Sequence, residues 1–205
     1  MKNVLIAATL VGLAAAPFGA AHADARTVRF HDDGSASSDD RLRFELESTK
    51  GGVIHSKVEG HVQDFAVSYD RDGQTVRDVR LVFDVNKMDT DNGRRDEKMK
   101  DICLGADRFP TVEVSIPGAV PEHAHGSVPA RIKVRGRWHP IRLQLSARPD
   151  GSQTMIEGRA SVSLSSLGVP DPSIWIARVR DRVDISFRMT FPSDPSARVG
   201  SADRP

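Results

Sequence analysis

Seven histidines, one cysteine and a serine cluster are the residues of this 205-residue chain able to catalyse or to hold metal. His123 and His125 alternate in a stretch flanked by Pro121 and Gly126. That spacing lets two imidazoles meet one Zn or Cu ion, but a site needs three or four ligands. His31, His55, His61 and His139 are candidate partners that spacing cannot place. Cys103 falls on an apolar helical stripe, which suits a small buried hydrophobe better than a nucleophile. If exposed, it could instead join two chains as a disulfide-linked homodimer. Ser163-Leu164-Ser165-Ser166-Leu167-Gly168 lacks the flanking glycines of a nucleophile elbow. Asp89, Asp91 and Asn92 precede Gly93 roughly as in a calcium loop. The glycine offset is wrong, however, and no Glu stands at the twelfth position, so these residues read as helix caps. Phosphate-loop, H-E-x-x-H and dinucleotide-binding motifs are absent. No catalytic residue, metal ligand set or required cofactor is assigned. An envelope enzyme or metal-handling protein remains an alternative resting on the histidines alone.

The elements around these residues are strands. Leu42, Phe44 and Leu46 alternate with Arg41, Arg43, Glu45 and Glu47. The same period of two runs through Val58–Val62, Val79–Val85, Val112–Ile116, Ile132–Val134, Ile141–Leu145, Ile156–Leu164 and Val183–Phe191. Such alternation marks half-buried strands and predicts roughly eight to ten of them, enough for a closed barrel. Apolar parity slips from even at Val62 to odd at Phe65, which predicts a bulge near Gln63-Asp64. Asp72-Gly73 and Pro149-Asp150-Gly151 read as hairpin turns, and residues 136–140 as a separator. Residues 32–40 read as a polar loop. Only residues 89–108 break the pattern: Met99, Ile102 and Cys103 share one face of a helix that Asp91 or Asn92 can cap.

Charge and composition decide which face is inside. Basic residues number 29 and acidic residues 28, a balance unlike that of a nucleic-acid binder. The polar faces of the strands carry Arg, Lys and Glu, as a water-facing surface does. One Tyr and two Trp cannot build the aromatic girdles of an outer-membrane barrel. The expected fold is therefore all-β, a soluble eight-stranded antiparallel barrel with one short inserted helix. Its interior is either filled by side chains or open to one small apolar ligand. Gly60, Gly158 and Ala160 on the apolar face favour open space.

Lys2, the apolar residues 4–16 and Ala21-His22-Ala23 form the pattern of a cleaved export signal. Cleavage after Ala23 would remove one lysine and no acid, taking the formal charge from +1 to zero. The expected organisation is a leader at 1–23, one domain at 24–192 and a flexible polar tail at 193–205.

Asp89-Thr90, Arg95-Asp96 and Phe109-Pro110 resemble the central motif of the YceI-like family. Val58-Glu59-Gly60 with Phe65, residues 132–145, residues 164–169 with Pro172, and residues 183–187 extend the resemblance over about 26–191. The chain departs from the family pattern at Val62, at Gly136-Arg137-Trp138-His139, and at Leu164 and Leu167. The resemblance implies a lipocalin-like barrel holding a long apolar lipid, a polyisoprenoid or isoprenoid quinone. It also implies a periplasmic or secreted location and no enzymatic role; transient membrane contact would accompany loading. Candidate lipid-binding residues are Phe44, Leu46, Val58, Val62, Phe65, Phe83, Val85, Met99 and Phe187. Ile102 joins them as part of a helical lid, and Trp138 as a residue of the barrel mouth.

Overall fold

A computed structural model describes residues 24–35, 38–72, 75–121, 124–150, 153–173 and 177–192. The expected leader and tail, Gly73, Gly151 and His123 lie outside them. The strands are β1 (Asp24–His31), β2 (Arg41–Lys50), β3 (Ile54–Val62), β4 (Asp64–Asp72), β5 (Thr75–Asp84) and β6 (Met88–Asp89). They continue as β7 (Thr111–Pro121), β8 (His125–Val134), β9 (Arg137–Asp150), β10 (Gln153–Val162) and β11 (Ala177–Pro192). All join one sheet in the order β1-β4-β5-β7-β8-β9-β10-β11-β2-β3-β6. Eleven strands thus stand where alternation predicts roughly eight to ten. β6 is too short to show a period, and β1 carries only Val28 and Phe30 on its apolar face.

The sheet curls until its ends meet at Gln63. β3 leads directly into β4 there, and the apolar parity slips at the same point. The expected bulge is instead a corner between two strands. Val62 and Phe65, on either side of it, are both buried. Gln63 O accepts from the amide of Asp32, and Gln63 N donates to Lys87 O, each at 2.8 Å. Away from the corner the seam is closed by rings. Phe30 stacks on Phe65 and meets Phe191 edge-on, with centroids 5.2 Å apart in both pairs, and Tyr69 meets Phe191 at 5.6 Å. Carboxylates serve the backbone where the ladder stops. Asp32, fully buried, accepts from Gly34 N at 2.9 Å and Leu42 N at 3.3 Å. Asp40 accepts from Thr190 N at 2.7 Å. The polar loop read from sequence is therefore part of the closure.

Apolar side chains point inward and charged ones outward, opposite to a lipid-facing barrel. No helix among the described residues is long and apolar enough to cross a membrane. The β8–β9 hairpin is tighter than expected. Arg135 (φ 50°) and Gly136 (φ 75°) alone form its turn, Val134 pairs with Arg137, and β9 has already begun at Arg137. Two successive positive φ values suit the right-handed twist of a two-residue hairpin.

On the outer face, Glu113 of β7 is buried beneath its partners Arg80 and Lys133, with Lys133 Nζ 3.0 Å from Oε1. Burial opposes its ionisation, but hydrogen bonds from Lys133 and Arg80 prevail and hold the carboxyl below its ordinary 4.5.

Two stability measurements follow. Asp32→Ala leaves Leu42 N and the guanidinium of Arg43, 3.7 Å away, without the carboxylate. It should cost about 2–4 kcal/mol in urea unfolding, and an unchanged midpoint would show that Asp32 does not hold the closure. Because the Glu113 carboxyl is lowered, its stabilisation is complete above pH 4.5 and fades as pH falls through the lowered value. Glu113→Gln should cost about 1 kcal/mol at pH 7 and flatten the pH dependence below 4.5. Parallel pH profiles of the two proteins would contradict this.

Candidate functional site

The inward faces of the strands do not meet. They enclose an apolar cavity of about 540 Å³ running from the helical segment to the β4–β5 and β9–β10 ends. Three buried clusters form its wall. Val112, Val134 and Val183 mark the helical end, Val62, Tyr69 and Phe191 the seam side, and Leu143 and Leu145 the β8–β9 side. Phe83, Met88, Val114 and Ile185 pack against two clusters at once yet are only half-buried. Their remaining surface borders the cavity rather than bulk water. Volumes of this order are typical of small-molecule sites.

Seven of the residues chosen from sequence line this cavity: Phe44, Leu46, Val58, Val62, Phe83, Met99 and Phe187. Four lie elsewhere. Phe65 is spent on the seam, stacked against Phe30. Val85 leaves the strand in a single 3-10 turn, Val85–Lys87, and is 1% exposed inside the core. Ile102 is 59% exposed because the segment Lys98–Leu104 is π-helical. The wider turn keeps Met99 and Cys103 inward and rotates Ile102 away from them. Trp138 is not at the mouth; it sits on β9 opposite Lys133, on the outer face, with Arg131 and Lys133 over its ring at 5.5 and 5.8 Å. Tyr69, Ile132, Leu143 and Phe191 also line the cavity and were not among the candidates. For Ile132 and Leu143, the alternation of β8 and β9 is the signal that could have found them.

The two glycines on the apolar face do not leave empty space. Gly60 pairs with Phe44, and Gly158 with Phe187, across neighbouring strands. A Cβ on Gly60 would stand 2.3 Å from Phe44 Cζ, and one on Gly158 would stand 2.0 Å from Phe187 Cζ. Both rings therefore lie flat along the wall instead of projecting across the lumen. This placement keeps the cavity open.

One end is covered by the inserted segment. Asn92 Oδ1 caps α1 (Gly93–Glu97) by accepting from Arg95 N at 3.1 Å. The buried carboxylate of Asp96 accepts from Thr90 N at 3.1 Å and Thr90 Oγ1 at 2.5 Å. Arg95 closes the network, donating from Nε to Thr90 Oγ1 and from Nη2 to Thr90 O, at 2.8 and 2.5 Å. The π-helical turn ends at Gly105, whose φ of 67° suits glycine, and Arg135 Nη1 donates to Cys103 O at 2.7 Å. The Phe109 ring lies beneath the Arg135 guanidinium at 5.8 Å, and Pro110 O accepts from Val85 N at 2.8 Å. Thr90, Arg95, Asp96 and Phe109 of the motif thus anchor this cover.

Cys103 is buried, and that burial raises its thiol pKa above 9.0. A buried, protonated thiol does not serve the disulfide-linked homodimer. Among the described residues no three His, Cys, Asp or Glu side chains converge on one point. His125 begins β8 rather than lying in a loop and meets Ser146 Oγ at 3.4 Å. His31 pairs with Asp64 at 2.8 Å on the surface, and His61 is buried against Gly34.

Comparison with known proteins agrees with this architecture. BcnA of Burkholderia cenocepacia superposes with a TM-score of 0.58 at 15% identity, over 73% of this chain and 95% of that one. A polyisoprenoid-binding domain of Saccharophagus degradans, implicated in plant cell wall breakdown, gives 0.56 at 15%, over 76% and 98%. The Campylobacter jejuni YceI protein gives 0.53 at 11%, over 68% and 86%. No curated protein matches the sequence significantly. At these identities the structures share the fold. The YceI-like domain family matches residues 26–191, from the third residue of β1 to the penultimate residue of β11, and the chain belongs to that family.

Proposed function

We propose that the protein binds a long apolar molecule, a polyisoprenoid or isoprenoid quinone, inside its barrel and carries it in the periplasm or outside the cell. One observation carries this reading: a continuous cavity of about 540 Å³ whose wall is predominantly apolar. A fold stabilised by burial ordinarily fills such a space with side chains. Here Phe44 and Phe187 are laid along the wall, and Phe30, Phe65 and Phe191 are drawn into the seam. A chain burying ~500 Å² would gain on the order of 12 kcal/mol gross before association costs. The shared fold of a polyisoprenoid-binding domain and the export-signal pattern of residues 1–23 support the reading. No catalysis is part of it.

Native mass spectrometry and solvent extraction of the purified protein should recover a bound lipid, and protein stripped of lipid should take up an isoprenoid quinone. Neither outcome occurring would end this reading. Phe83→Asp places a charge in the apolar wall and should abolish uptake in the fraction that remains folded. Normal uptake by that fraction would place the ligand away from Phe83. Gly158→Ala should force the Phe187 ring off the wall, costing about 1–3 kcal/mol and weakening uptake. Adding Phe187→Leu should relieve the clash, and a double variant no better than the single would reject this account of the open lumen.

A further inference from the structure

The wall of the cavity is chemically one-sided. Arg43, Arg71, Arg94, Arg95 and Lys98 border it, and among the described residues no Asp or Glu does. Three of these cations are engaged by the protein. Arg43 faces Asp32 and donates to Ser35 O. Arg71, at the far end, reaches Pro192 O at 3.5 Å. Arg95 is held by Thr90 through both Nε and Nη2. The remaining two stand together on the cover. The Lys98 amide donates to Arg94 O, so the side chains lie one turn apart. Lys98 Nζ donates to Pro172 O at 2.6 Å, which leaves two of its three protons for another acceptor. The Arg94 side chain is exposed and forms no hydrogen bond or ion pair with another described residue. Both border the cavity, Lys98 beside Pro172.

An apolar tunnel distinguishes tails poorly, because burial is non-directional. Discrimination comes from the end at which the polar head must stop. Two donors of like charge, beside a low-dielectric wall and with no carboxylate in the lining, favour an anion there. We propose that Arg94 and Lys98 form a head-group site that selects long-chain amphiphiles with an anionic head, phosphate or carboxylate. The inference rests on the lipid-binding reading of the cavity and adds the class of head group.

Three probes with one tail separate the two ideas: geranylgeranyl monophosphate, geranylgeranoic acid and geranylgeraniol, each titrated below its aggregation limit at low salt. Wild-type protein should bind at least one anion roughly ten-fold or more tighter than the alcohol. Whichever anion is preferred identifies the source of the charge. The preference should shrink in high salt. It should vanish in Arg94→Ala/Lys98→Ala while the affinity for the alcohol stays the same, and Arg94→Lys should retain part of it. Equal binding of all three probes by the wild type would overturn the head-group site and leave the lipid-binding reading intact. A preference that survives in the double variant would also overturn it. Binding of none of the three would overturn both. Circular dichroism checks the fold of each variant and should match the wild type; the urea midpoint should fall only slightly where Lys98 is replaced, through loss of its hydrogen bond to Pro172 O.

Discussion

A sheet that curls into a barrel must join its first and last strands, and here that joint rests on one residue. Gln63 stands between β3 and β4, and its two backbone groups bond to different segments, residues 32 and 87. The corner resets the parity of the chain. Without that slip, Phe65, Val67 and Tyr69 would face water. The seam rings and the two loop carboxylates, Asp32 and Asp40, depend on the geometry the corner establishes. Asp32 satisfies amides that a continuous ladder would otherwise have paired, in a place water does not reach.

Closure also explains why the interior is hollow. Phe30, Phe65 and Phe191 draw together at the seam, on one side of the lumen. Phe44 and Phe187 lie over glycines. The centre is left to Phe83 and to half-buried aliphatic and thioether side chains that touch the cavity. Met99 and Met88 among them are flexible enough to follow a guest of variable shape.

The polar residues of the central family motif are engaged with one another. Thr90, Arg95 and Asp96 bond to one another, and Phe109 with Arg135 holds the end of the π-helical turn. They position the cover, and the cover brings Arg94 and Lys98 to the cavity. The turn at Arg135-Gly136, where the chain departs from the family pattern, is still used to cap the carbonyl of Cys103. Of the residues that follow it, Trp138 lies on the outer face of β9 and Arg137 is exposed at the start of the strand; neither borders the cavity, so this departure leaves the lumen unchanged.

Period-two alternation, the parity slip and the inserted helical stripe were legible in the chain itself, because which side of a strand a residue occupies is a local property. They determined an antiparallel all-β fold, its inward faces and the place of its one helical segment. Alternation could not tell an inward residue used in the seam, such as Phe65, from one facing the lumen, such as Phe83. That difference depends on which distant strand lies opposite. Ile102 escaped for a related reason: three-residue spacing assumes an α-helix, and the π turn follows from how the segment is pinned at both ends. Asp32 looked like a loop residue because burial of a polar side chain depends on partners ten or more positions away. The tertiary structure alone decided that the barrel is hollow. Volume inside a closed sheet is set by where rings lie after closure, and composition does not record it.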